Sequence, residues 1–163
     1  NFPWLIRTVG GALLSALGAI APRVRVRKPF TPFYAYSLLK QYNGEWEYNL
    51  DWKPVKGFPM HMAWVRAIRK GHGEVHRGLD IPCPIQVMSS DRSTHPIRWN
   101  DDILRTDIVL SVDQMSQYCP RLGANVTRIR IPNAIHDIML SARSVRETVY
   151  REHFLWLEHN LHL

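Results

Sequence analysis

"VTRIRIPNAIHDIML", residues 126–140, decides how the chain folds. Val126 to Ile131 reads as a short half-buried strand, with Val126, Ile129 and Ile131 as the expected inward side chains. Pro132 and Asn133 break the run, and a single histidine, His136, follows in the turn. Further on, "SVRETVYREHFLWLEHNL" (144–161) has the apolar spacing of an amphipathic helix, and Ser144 with Glu147 forms a capping pattern at its start. A histidine on a loop between strand and helix is placed to do chemistry if other groups reach it.

The partner of this strand lies about forty residues upstream. "IPCPIQVMSS" (81–90) is a short, continuous apolar run after prolines, the pattern of a buried strand in a parallel sheet. A long loop from Asp91 to about Ile108 and a helix from about Val112 to Tyr118 separate the two. Strand, helix, strand, helix with connections of this length is an α/β layout. Open α/β sheets bind ligands at the carboxyl ends of their strands, so the loop after Met88 and the loop carrying His136 are the places to look. If the strands are neighbours, a carboxylate from the first loop reaches the imidazole on the second. Such a pair is an orienting acid and a general base, two thirds of a nucleophilic triad.

On these residues the segment 81–163 resembles the C-terminal part of a serine hydrolase of the α/β-hydrolase fold, in the cap-bearing group that includes monoacylglycerol lipases and serine aminopeptidase-like hydrolases. In that group an acidic loop D-x-V-V-x-x-x-Q/A follows the penultimate strand, and the last strand leads to G-x-x-H. "TDIVLSVDQM" (106–115) matches the first pattern, and the resemblance implies that Asp107 is the acid. "IPNAIHDIML" (131–140) matches the second with His136 as the base, although Asn133 stands where glycine is usual; asparagine tolerates the left-handed turn. Asp91 is the competing acid, since it follows its strand more closely, but it lacks the surrounding motif; "RSTHPIRWNDD" (92–102) then reads as an insertion before the acid loop. Asp137 is expected to cap or pair locally. The resemblance implies a small-molecule acyl or ester substrate and no cofactor. It makes residues 1–80 the helical cap segment and 81–163 the hydrolase core segment.

A triad also needs a nucleophile. A nucleophile elbow reads G-x-S-x-G, because its strained turn demands small flanking residues, and no serine of the 163 residues has that setting. The His-Gly oxyanion segment is missing as well. In the family both precede the cap, so both are expected before Asn1, and the chain reads as one cut from something longer. It is accordingly expected to associate with the remaining half of a hydrolase or with a second copy of itself, since two strands alone would leave a hydrophobic edge and face.

Residues 1–80 read as helices joined by proline-rich turns. Phe2 to Ile20 is helical by composition; its Ala-Ile-Ala at 19–21 suggests a signal peptide, but a helix packed on an apolar surface is preferred, and the run is short for a membrane span. "PRVRVRKPFTP" (22–32) is an extended connector or edge strand, "FYAYSLLKQYN" (33–43) a helix stopping at Asn43-Gly44, and Met60 to about Arg77 another helix. Trp46, Tyr48 and Trp52 either line a lipophilic pocket or pack in a core.

Hydrophobic residues at 45% and charged residues at 21% describe an ordinary globular chain. The net charge of +7 would suit nucleic acid or an acidic membrane, but no nucleic-acid motif accompanies it, and none is expected as a partner. Cys83 and Cys119 form no disulfide framework, fit a reducing, cytoplasmic setting, and Cys83 reads as a small buried thiol. "SLLK" (37–40) lacks the partner motifs of penicillin-recognising enzymes, and His72 with His76 on one helix face has no third metal ligand.

Overall fold

The computed structural model describes residues 16–26 and 31–161. In chain order these form strand β1 (Arg25–Val26), helix α1 (Phe33–Leu38), strand β2 (Met60–His61), helix α2 (Met62–Arg77), strand β3 (Ile85–Ser90), helix α3 (Val112–Tyr118), strand β4 (Val126–Ile131) and helix α4 (Arg143–Leu161). Most of the expected first helix falls outside the described residues; 16–20 are helical.

The centre of the fold is the parallel pair β3–β4, in register from Ile85 opposite Val126 to Ser90 opposite Ile131. Both strands therefore end at one edge, and the two loops of interest start side by side. The period-two pleat puts Ile129 and Ile131 on one face of β4 and Arg128 and Arg130 on the other. Val126 lies an odd number of residues from Ile129, so it shares the parity of the arginines rather than the inward face expected for it. Ile131, Ala134 and Val149 form a buried cluster, with Met88, Ile129, Ile138 and Val145 packed around it. Thus α4 is laid on the sheet by Val145 and Val149, and it is also tied to β3 by His153 Nδ1 and Gln86 Oε1 at 2.6 Å. On the opposite face the exposed arginines reach α3: Arg130 donates to Ser116 Oγ at 2.7 Å.

Several local readings change. Helix α1 stops at Leu38 instead of Asn43, because Leu39 turns extended and the chain returns over the helix end. Trp46 N–H donates to Leu38 O at 2.8 Å and Lys40 N–H to Trp46 O at 2.9 Å. Gly44 allows this turn, since a Cβ there would lie 2.0 Å from the Leu38 carbonyl. Met60 and His61 pair antiparallel with β1 instead of opening α2. Helix α4 begins at Arg143, one residue before the expected start, and Glu147 accepts from Arg143 Nε at 3.1 Å, so Ser144 lies inside the helix and the capping box does not form. Cys83 is exposed, held between two prolines ahead of β3, and Cys119 is buried; both are free thiols.

Among the described residues no helix is long and apolar enough to cross a membrane. Tyr150, Phe154 and Leu155 of α4 remain 45%, 57% and 54% exposed, so among the described residues one side of that helix has no apolar cover.

The small core makes Ile131 decisive. Ile131→Ala removes a side chain that is 1% exposed and should lower stability by about 2–5 kcal/mol, read as a shift in the urea midpoint; an unchanged midpoint would contradict the cluster.

Candidate active site

Asp107 reaches the sheet edge through a loop that closes on itself. After β3 the chain leaves at Asp91 and returns so that Ser93 and Asp107 form a parallel bridge, with Thr94 N–H donating to Asp107 O at 3.0 Å and Asp107 N–H to Arg92 O at 3.1 Å. The intervening excursion is stitched by Thr94 and Thr106 hydroxyls at 2.7 Å, by Thr106 Oγ1 donating to Asp102 O at 2.7 Å, and by Arg92 with Asp102 at 3.1 Å. Ser93 Oγ then accepts from Val112 N–H at 2.7 Å and donates to Leu110 O at 2.8 Å, fixing the start of α3. The segment read as an insertion is thus a folded-back loop that delivers the carboxylate.

That carboxylate is 2% exposed and fully engaged. Oδ1 accepts from the backbone N–H groups of Val109 and Leu110 at 2.7 and 2.8 Å, an Asx turn that fixes the side chain. Oδ2 lies 2.9 Å from His136 Nδ1.

His136 is held as tightly from its own side. Asn133 adopts φ = 60°, the left-handed conformation that lets the chain turn out of β4. Ala134 and Ile135 on the turn are 0% and 3% exposed, and Ile135 N–H donates to Ser141 Oγ at 3.0 Å. The imidazole itself is half-buried.

Electrostatics favour an ionised acid beside the ring. Burial pushes Asp107 up, but its bonds from His136 and from the Leu110 and Val109 N–H groups outweigh this and hold it below the ordinary carboxylate value. For His136 the Asp107 hydrogen bond raises the pKa above its ordinary value, burial opposes it, and the charges of Asp107 and Asp137 add to the rise while Lys53 counters it. With Asp107 ionised, Nδ1 carries the proton it donates, which leaves Nε2 as the basic nitrogen.

Asp91 makes no hydrogen bond to His136; its backbone N–H donates to Ile131 O at 3.2 Å, and its Oδ1 is buried without a partner. Asp137, expected to pair locally, instead binds Tyr34, 103 residues away, through the phenol O–H. It also lies 3.6 Å from Lys53 Nζ. The Tyr34 ring meets the His136 ring edge-on at 5.7 Å. Neither Tyr34 nor Lys53 stands out in the sequence: one sits in a helical pattern and the other in an aromatic turn, and only long-range folding brings them to the histidine.

A cavity of about 470 Å³ is lined by Tyr34, Ala35, Pro54, Val55, Phe58, Ile108 and Val109 with Lys53 and Lys56; neither Asp107 nor His136 lines it. A second hollow of about 400 Å³ is lined by residues 136–140. Trp46, Tyr48 and Trp52 do not line the larger cavity: the Trp46 indole donates to Leu140 O at 2.8 Å, and Trp52 is 81% exposed. Ser37 is 6% exposed and spends its hydroxyl on Tyr34 O. His76 stacks on Tyr118 at 3.9 Å, and among the described residues no group of three His, Cys, Asp or Glu is placed to hold a metal.

No family model matches the sequence, and no curated protein matches it. The structure is similar to the crystal structure of a soluble variant of monoglyceride lipase from Saccharomyces cerevisiae, solved with a substrate analog, at a TM-score of 0.57 and 12% sequence identity. The match covers 97% of this chain and 52% of that one, so the chain spans about half the length of the lipase. At that identity the likeness speaks for the fold: a small parallel sheet with helices, consistent with the C-terminal portion of an α/β hydrolase.

Proposed function

We propose that these residues supply the acid and the base of a serine hydrolase acting on a carboxylic ester or similar acyl substrate. The observation that carries this reading is the Asp107–His136 bond of 2.9 Å at the carboxyl ends of two neighbouring parallel strands. In the proposed mechanism the ionised Asp107 fixes the imidazole with its proton on Nδ1. His136 Nε2 takes the proton of a serine as that serine attacks the acyl carbon, and returns it to the leaving group. Asp107 stabilises the imidazolium between those steps, and a water activated the same way releases the acyl group.

The serine and the oxyanion donors are proposed to come from outside these 163 residues, in the same polypeptide or in an associated one, because no serine here stands in an elbow. Residues 1–80 would then act as the cap, and the apolar cavity beside Tyr34 would receive the acyl chain. A second reading, a binding or scaffold protein that keeps the fold without the chemistry, draws on the same missing elbow.

Three outcomes are expected of the assembled protein. A fluorophosphonate should label one serine, and His136→Ala should reduce both labelling and ester turnover to background; turnover unchanged in that variant would remove the catalytic reading, and no labelling at all would favour the scaffold. Because His136 must be neutral to act and its pKa is raised, the acid limb of kcat/KM should have its midpoint above the ordinary histidine value of 6.5; Asp107→Asn should move that midpoint down and cut kcat by roughly 10⁴-fold, the order lost when an amide in place of the triad acid leaves the imidazole in the wrong tautomer. Val55→Trp, which fills the cavity from its wall, should shift the preferred ester toward shorter acyl chains in a chain-length series, with short esters turned over as before.

A further inference from the structure

The charges of two carboxylates act on His136. Asp107 holds Nδ1 at 2.9 Å, and Asp137 follows it in the chain. Two anions beside one imidazole favour the imidazolium, which is useless as a base. The burden of Asp137 is met by two residues from distant parts of the N-terminal segment. Tyr34, on α1, donates its phenol O–H to Asp137 Oδ2. Lys53 Nζ lies 3.6 Å from the same oxygen. Lys53 is itself steadied over two rings, 5.1 Å from the Tyr34 centroid and 5.7 Å from that of Tyr48.

We propose that Tyr34 and Lys53 are positioning residues that engage the Asp137 carboxylate and offset part of its charge, so that Asp107 stays the dominant partner of His136 and the imidazole stays available as a base. The groups facing the imidazole from the packed elements are then Asp107 from its loop, Tyr34 from α1, Lys53 from the turn after it and Asp137 from its own turn. Tyr34 cannot take over the proton traffic, because burial and the bond to Asp137 push its phenol well above its ordinary value. It therefore acts as a fixed dipole, positive end on the carboxylate, and as an edge against the ring. The Lys53–Asp137 pair is nearly half exposed and adds little to stability; what it supplies is a positive charge beside the imidazole. The arrangement also means that the segment before residue 80 sets the protonation of a residue near the end of the chain.

This inference rests on the proposed role of His136 for its purpose, but its test reads titration rather than turnover. In the ¹⁵N-labelled full chain, at low ionic strength where such charges are least screened, His136 is identified as the imidazole resonance absent from His136→Gln. Its midpoint should rise in Lys53→Met and in Tyr34→Phe and fall in Asp137→Asn. Tyr34→Phe should have no effect once Asp137→Asn is present, because the phenol acts through that carboxylate. A midpoint unmoved by Lys53→Met overturns the proposal even if Tyr34→Phe fails to fold, and a Tyr34→Phe shift that persists without the Asp137 charge overturns the role given to Tyr34. The expected shifts in a protein that labels no serine would leave this inference standing and remove only the catalytic reading.

Discussion

The parallel, in-register pairing of β3 with β4 is the constraint on which everything else depends. Six consecutive residue pairs from Ile85–Val126 to Ser90–Ile131 bring both strands to an end at the same level. Asp91 N–H still donates to Ile131 O at 3.2 Å, so the ladder continues one step into the acid loop. A slip of one residue would turn Ile131 away from Val149 and Ala134 and expose it. It would also carry the His136 turn out of step with Asp107. Burial of one isoleucine and the geometry of one hydrogen bond are thereby specified together.

Placing a carboxylate that is 2% exposed beside a half-buried imidazole is costly, since removing an ion from water costs several kcal/mol even after relaxation. Asp107 offsets this with three short bonds, two from backbone N–H and one from His136. At about 1.5–3 kcal/mol for each hydrogen bond to a charged group, three are of the size needed to offset that cost and hold the acid below its ordinary value. This explains the stitched loop from Asp91 to Ile108: its threonines and its Ser93 fix the backbone N–H groups that hold the carboxylate.

What the sequence disclosed follows from the range of each interaction. The two core strands and α3 are written in short-range patterns, an apolar run after prolines and an alternation, whereas Asp107 and His136 are singled out by a family resemblance in motifs a few positions long, and their meeting depends on the strands being neighbours. Asn133 was legible for the same reason, as one of the few residues that take φ near 60°. Val126 departs from its expected face by parity, and α1 is shorter than its sequence predicts because helical periodicity persists past Leu38. A backbone return from Trp46, made possible by Gly44, ended that helix. The partners of Asp137 differ from the local ones expected because Tyr34 and Lys53 lie far away in sequence and carry no local signature.

Among the described residues, polar contacts from the N-terminal segment converge on one short stretch of the histidine loop. Trp46 donates to Leu140 O, and Arg146 lies 4.8 Å over the Trp46 ring while pairing with Glu45 at 2.8 Å. The same Arg146 donates to Ser141 O at 2.8 Å, and Ser141 Oγ in turn accepts from Ile135 N–H, next to His136. Tyr34 and Lys53 grip Asp137 from the other side of the turn. Residues from 34–53 thus hold the turn at Asp137 and at Leu140, while Ala134 and Ile138 hold it by apolar packing on Ile131 and Val149. Hydrophobic burial is insensitive to direction, whereas hydrogen bonds and stacked cations fix angles. A turn that must present an imidazole nitrogen in one orientation needs the second kind of restraint, and here the N-terminal segment supplies it.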